Sequence, residues 1–193
     1  MRLFLAGVVP DALKQSLHAQ LEPVRAATPQ TRWLPAESLH LTLVFLGSVG
    51  EAGVPPLRDA FGAVCARHRP LSLTLAGIET FGPSRSPRVL AATLSGEVDG
   101  LQALVSDARR AAEPTVALEP ERPFRPHLTV ARARSARGDS LLGRCRTALA
   151  TRLEGSFVLT EVALVRSETL GTGAVHTPVE RWTLGREPGF HSR

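Results

Sequence analysis

Apolar and polar positions along this chain alternate at two periods, and the changes of period divide it into strands and helices. RLFLAGVV (2–9) reads as a first strand. Pro10 stands at a helix start with Asp11 in the first turn; Leu13, Leu17 and Leu21 recur at helical spacing, and Pro23 marks the helix end. Residues 28–37, with Pro29 and Pro35, are turn-rich, and a strand over 38–46 is predicted to stop at Gly47. A helix over 54–68 gathers Leu57, Phe61, Val64 and Cys65 on one face. LSLTLAGIE (71–79) and RVLAATL (88–94) alternate as strands and are predicted to pair across FGPSRSP.

From Val98 to Ala112 the spacing of Leu101, Leu104, Val105 and Ala108 predicts an amphipathic helix. Residues 113–125 read as a linker rich in Pro and charge, 126–132 as a strand, and 139–152 as a short helix after Gly138. SFVLTEVALVRSE (156–168) is predicted to be one long strand, turning at Gly171 and Gly173 and returning over 175–185 as a hairpin. Residues 186–193 are expected to be a flexible tail. Hairpin-like connections of this number do not suit a parallel doubly wound sheet. The expectation is an α+β fold: a single domain over 1–185 with two antiparallel sheets and helices packed outside them.

Two of the predicted strands carry the same short pattern. SLHLTLVFLG holds His40 and Thr42, and FRPHLTVAR holds His127 and Thr129. Strand geometry puts each His and its Thr on one face, with Leu41 and Leu43, or Leu128 and Val130, on the other. Core strands favour Val, Ile or Leu at inward positions, because a buried imidazole and hydroxyl both need partners. A doubled His-x-Thr is therefore hard to explain by packing. The repeat suggests two lobes related by an approximate pseudo-two-fold axis. His18, His68, His176 and His191 have no such setting and read as surface or incidental.

Composition adds less. The chain has 193 residues, 43% apolar and 21% charged, with a net charge of +5. Its only two cysteines, Cys65 and Cys145, make no disulfide framework and have no metal-ligand spacing, so a reduced, cytoplasmic protein is expected. No apolar run reaches the roughly 18 residues that span a bilayer, and no oligomer signal stands out, so a monomer is the default. Arginine outnumbers lysine 22 to one. Most of that excess fits a GC-rich coding bias, but its distribution is uneven. From Arg122 to Arg152 there are eight arginines and one acid, Asp139. That window contains the second His-x-Thr, and an Arg-rich field favours an anionic partner such as a nucleotide or nucleic acid.

Several chemistries fit poorly. Two histidines are too few for a closed zinc site, and no Asp, Glu or Cys flanks either one at ligand spacing. No G-x-S-x-G and no phosphate-binding glycine loop is present. Two imidazoles across a cleft suit phosphoryl chemistry with neither cofactor nor metal. One takes a proton from the attacking oxygen and the other gives one to the leaving oxygen. Thr42 and Thr129 are placed to donate to the nonbridging oxygens, and Arg132 adds positive charge. A module that binds RNA ends or nucleotides without turnover is the alternative of a different class. The paired motifs argue against it, since a pure binder has no need of an acid and a base together.

HLTLVFLG and FRPHLTVAR, with the RLFLAGVVP start, PRVLAATL and ALVRSE, resemble the 2H phosphoesterase superfamily. Within it the closest resemblance is to the RNA 2′,3′-cyclic phosphodiesterases, first described in bacteria as 2′–5′ RNA ligases. The resemblance implies a bilobal fold with a V-shaped central cleft and one motif per lobe. It implies metal-independent hydrolysis of an RNA 2′,3′-cyclic phosphate end, or of a small cyclic nucleotide, to a 2′-phosphate, with 2′–5′ ligation as the reverse alternative. Carried onto this sequence, His40 protonates the leaving 3′ oxygen, His127 activates water, and Thr42 and Thr129 hold the phosphate. Arg132 supports substrate phosphate and Phe45 contacts a base, with Arg166 and Ser167 bordering the cleft.

Overall fold

The computed structural model describes residues 1–120, 123–149, 153–170 and 173–185. The expected tail over 186–193 lies outside the described residues. In chain order the elements are β1 (Arg2–Gly7), α1 (Asp11–Ala27), β2 (Arg32–Trp33), β3 (Leu41–Ser48), α2 (Val54–Arg67), β4 (Leu71–Phe81) and β5 (Val89–Gly96). They continue with α3 (Val98–Ala112), β6 (His127–Arg132), α4 (Ser140–Ala148), β7 (Ser156–Leu159), β8 (Glu161–Leu170) and β9 (Gly173–Thr183). The fold is α+β, as expected. No helix among the described residues is long and apolar enough to cross a membrane.

The two expected sheets are one. All nine strands join a single antiparallel sheet in the order β7-β4-β5-β6-β3-β1-β8-β9, with the short β2 added on β6. The middle of this order is a seam. β3 and β6 meet through a single pair, Leu41 opposite Leu128, whereas β1 and β3 share a ladder of six. The two motif strands enter the sheet alike: β3 pairs antiparallel with β1, from which α1 separates it in the chain, and β6 pairs antiparallel with β5, from which α3 separates it.

One face of the sheet carries the core. Leu13, Leu17 and Leu21 of α1, Phe61 of α2, Leu101 and Leu104 of α3, and Leu142 of α4 all belong to one apolar cluster with Leu5, Leu41, Leu90 and Leu128 of the strands. Each fully buried leucine or phenylalanine there contributes about 1.5–3 kcal/mol. The opposite face holds only a small separate patch of Phe4, Ala6, Ala163 and Val165. The motif side chains stand on that barer face.

Four boundaries differ from expectation. α1 runs past Pro23 to Ala27 because Pro23 lies on the exposed side, where the unbonded carbonyl of Ala19 is also exposed. The long strand over 156–168 is two, β7 and β8, which lie in opposite halves of the sheet. The alternation changes phase between them: Phe157 and Leu159 are buried, then Val162 and Leu164. α4 ends at Ala148, while 150–152 lie outside the described residues. β3 begins at Leu41, so His40 immediately precedes it.

Candidate active site

His40 and His127 are held in the same way. The Nδ1–H of His40 donates to the carbonyl oxygen of Ser38 at 2.8 Å, and that of His127 to the carbonyl oxygen of Arg125 at 2.7 Å. Each acceptor is two residues upstream. A carbonyl only accepts, so both rings are fixed in the tautomer that leaves Nε2 free. Each ring also rests on a phenylalanine: Phe4 lies 4.9 Å from His40 at 35°, and Phe81 lies 4.7 Å from His127 at 37°.

The seam brings the two motifs together. With Leu41 opposite Leu128, antiparallel register puts His40 across from Thr129 and Thr42 across from His127. The two histidines are then diagonal neighbours, for which a spacing of about 7–8 Å is usual.

Each motif ends in a β-bulge at the same place. Ala6 of β1 pairs with Thr42 and Leu5 with Val44, so Leu43 is the extra residue. Ala91 of β5 pairs with Thr129 and Leu90 with Ala131, so Val130 is the extra residue. A bulge resets the alternation of faces. Val44 and Ala131 consequently turn into the core, while Phe45 and Arg132 turn out beside the motif residues. Phe45 is 66% exposed, so it is not a core side chain, and its ring stands 6.3 Å from that of Phe4.

A cavity of about 710 Å³ opens on this face, with Phe4, Arg32, His40, Phe45, Arg132 and His176 in its wall. Ser167 also borders it; Arg166 does not. His127, Thr42 and Thr129 are not among its lining residues, so of the two motif histidines the cavity borders His40 alone. A second hollow, between the end of α3 and the following loop, shares Ala117 and Glu119 with this cavity but is lined by none of the histidines.

The electrostatics of the empty site disfavour charged imidazoles. Burial is the largest influence on His40, opposed by the Ser38 carbonyl and reinforced by His176, Arg132 and His127; together they push its pKa down to about 4. His127 is lowered too, by burial and then by Arg132, against the pull of the Arg125 carbonyl. Burial and then Arg132 lower His176. With the imidazoles disfavoured as cations, the positive charge in the cavity wall comes from Arg2, Arg32 and Arg132 against one acid, Glu119, a balance that favours an anion. Among the described residues no group of three or more His, Cys, Asp or Glu side chains is placed to hold a metal ion.

His176 is the site residue that sequence reasoning missed. It lies on β9 opposite Ser167, its ring edge-on to His40 at 5.0 Å and to Phe4 at 5.2 Å. Its setting, VHTPV, carries no motif, and only the pairing of β9 on β8 brings it to the cavity. The other two described histidines are elsewhere: His18 bonds Arg25 and His68 bonds Asp107.

This fold and this double motif define a class, and comparison with known proteins agrees. Residues 9–170 match the model of the 2′-5′ RNA ligase superfamily, and the chain belongs to that family. It is 32% identical, over 98% of its length and 93% of the relative's, to an RNA 2′,3′-cyclic phosphodiesterase of Thermus thermophilus. It is 34% identical over 67% of its length to one from Geobacillus stearothermophilus, of which the match spans only 41%. Among solved structures, the Thermus thermophilus protein TT0787 superposes with a TM-score of 0.80 at 28% identity, covering 99% of this chain and all of that one. Escherichia coli LigT complexed with 3′-AMP does so with a TM-score of 0.75 at 27% identity, covering 96% and 98%.

Proposed function

We propose that this chain hydrolyses the 2′,3′-cyclic phosphate at an RNA end to a 2′-phosphate, with His40 as general acid and His127 as general base. The observation that carries the assignment is the position of the cavity. In an in-line displacement the leaving 3′ oxygen belongs to the nucleoside, and the attacking water comes from the opposite side of phosphorus. The space that fits a nucleoside flanks His40, and His127 lies across the seam from it. His40 is therefore the imidazole beside the ribose oxygen, and His127 the one beside the water.

His127 Nε2 takes a proton from water as its oxygen bonds to phosphorus. The P–O3′ bond breaks, and His40 gives a proton to the departing 3′ oxygen. Thr42 and Thr129 donate to the nonbridging oxygens as charge builds on them, and their β-branched side chains are stiff on a strand. Arg132 adds a guanidinium that already influences His40, His127 and His176. Phe45 offers an exposed ring for a base to stack on.

The low His40 pKa fits this scheme because a bound phosphodiester supplies the missing negative charge. The anion favours the imidazolium, so the acid form is populated with substrate in place. The names of the relatives and the 3′-AMP complex of LigT support an RNA end or nucleotide as ligand. The single sheet, with one motif strand on each side of its seam, supports reading residues 1–185 as a single bilobal domain.

The test is product analysis with an oligonucleotide ending in a 2′,3′-cyclic phosphate. A 2′-phosphate is expected. A 3′-phosphate would reverse the leaving-group assignment. A ligated product with a 5′-hydroxyl acceptor would favour the joining reaction, and binding without turnover would overturn the enzymatic reading.

A further inference from the structure

The cavity wall holds two arginines where strand pairing alone would disfavour them. Arg32 of β2 and Arg132 of β6 are directly opposite each other, so both side chains share the motif face. Like charges at opposed positions cost stability. Neither guanidinium has an ion-pair partner among the described residues. β2 itself is only two residues long, yet it is well fastened. The Leu34 N–H donates to the Val130 carbonyl at 2.9 Å, and Arg134 Nε to the Gln30 carbonyl at 2.9 Å. On the core side Trp33 packs against the main cluster, and its Nε1–H reaches the Thr28 carbonyl at 3.3 Å. A short, anchored segment thus places Arg32 in the cavity wall.

Arg132 closes the second motif strand, three residues after Thr129, and Arg32 stands directly across from it on the adjoining β2, so the two guanidiniums line one cavity side by side.

We propose that Arg32 binds the phosphodiester immediately upstream of the terminal nucleotide, so that the site is built for an oligonucleotide end and not for a lone cyclic nucleotide. This rests on the phosphodiesterase reading above and names the substrate class of the same site. The terminal cyclic phosphate sits between the histidines with its nucleoside in the cavity, and the next phosphate back along the strand meets Arg32. A guanidinium grips such a diester through two oxygens.

The experiment compares two substrates, a nucleoside 2′,3′-cyclic phosphate and a dinucleotide with the same cyclic end, on the unmodified chain, Arg32→Gln and Arg32→Lys. The dinucleotide differs by one upstream phosphodiester and its nucleoside. The unmodified chain is expected to show a kcat/KM for the dinucleotide at least tenfold higher, mostly through KM. Arg32→Gln should erase most of that advantage, lowering kcat/KM for the dinucleotide about tenfold and for the mononucleotide by a clearly smaller factor. Its log kcat/KM against log salt for the dinucleotide should flatten by about 0.7, as for one lost contact to a single strand. Arg32→Lys should restore part of the advantage. Removing one of two opposed charges should leave the melting temperature unchanged or raised, which separates the effect from misfolding. Equal kcat/KM for both substrates, or equal losses on both in Arg32→Gln, overturns the proposal. Turnover of neither substrate by the unmodified chain overturns the phosphodiesterase reading instead.

Discussion

Phe45 and Arg132 occupy equivalent places in the two halves of the sheet: each is the third residue after a motif threonine, and a one-residue bulge turns each onto the motif face. The two halves thus share one backbone device and use it for different chemistry. One presents a flat ring to the cavity, the other a guanidinium.

That division predicts a split in kinetics. Phe45→Ala should raise KM with little change in kcat, by about 1–3 kcal/mol if a base stacks on the ring. Arg132→Gln should lower kcat as well, because the charge it meets grows in the transition state. Steady-state kinetics on a cyclic-phosphate oligonucleotide separate the two. An Arg132→Gln variant altered in KM alone would make Arg132 a binding residue only.

The empty site should make the fold acid-sensitive. His40 and His127 have lower pKa values folded than unfolded, so the unfolded chain binds more protons between the two values. Stability from these groups is present above about pH 6.5 and is lost as pH falls toward about 4, the folded value of His40. The melting temperature should therefore drop between pH 7 and pH 4.5, by less in His40→Gln. Inorganic phosphate should recover part of the loss by favouring the imidazolium forms. A drop of the same size in His40→Gln would remove His40 as its source.

His176 should tune His40 through its charge. His176→Phe keeps an aromatic edge against the His40 and Phe4 rings while removing a positive group. The His40 pKa should rise, and by less than burial lowers it, since burial is the larger cause. An NMR titration of the imidazole reads this directly; an unchanged or lower value would deny the charge coupling.

Much of this was legible in sequence for physical reasons. His-x-Thr at strand spacing announced a shared face twice over, and Val98–Ala112 and Val54–Arg67 are helices where their apolar spacing put them. Arg132 was legible by motif but not by alternation. Strict period-two reading points Ala131 at the cleft, and only the bulge at Val130 reverses it. His176 and Arg32 were not legible at all. Both reach the site through pairings between strands distant in sequence, β9 on β8 and β2 on β6. The merging of two sheets into one hangs on a single pair, Leu41 with Leu128, which no local pattern encodes.

The pH dependence of kcat/KM in the two single-histidine variants tests the paired roles most directly. The unmodified chain should give a bell whose alkaline limb lies below about pH 6.5, since both imidazoles are lowered in the free protein. Each variant should be slower by about 10²–10⁴. His127→Ala should lose the acid limb and fall steadily as pH rises past the His40 value of about 4. His40→Ala should lose the alkaline limb and rise to a plateau. Two intact limbs in either variant, or a rate close to the unmodified one, would contradict the assignment of one proton taken and one given at the same phosphorus.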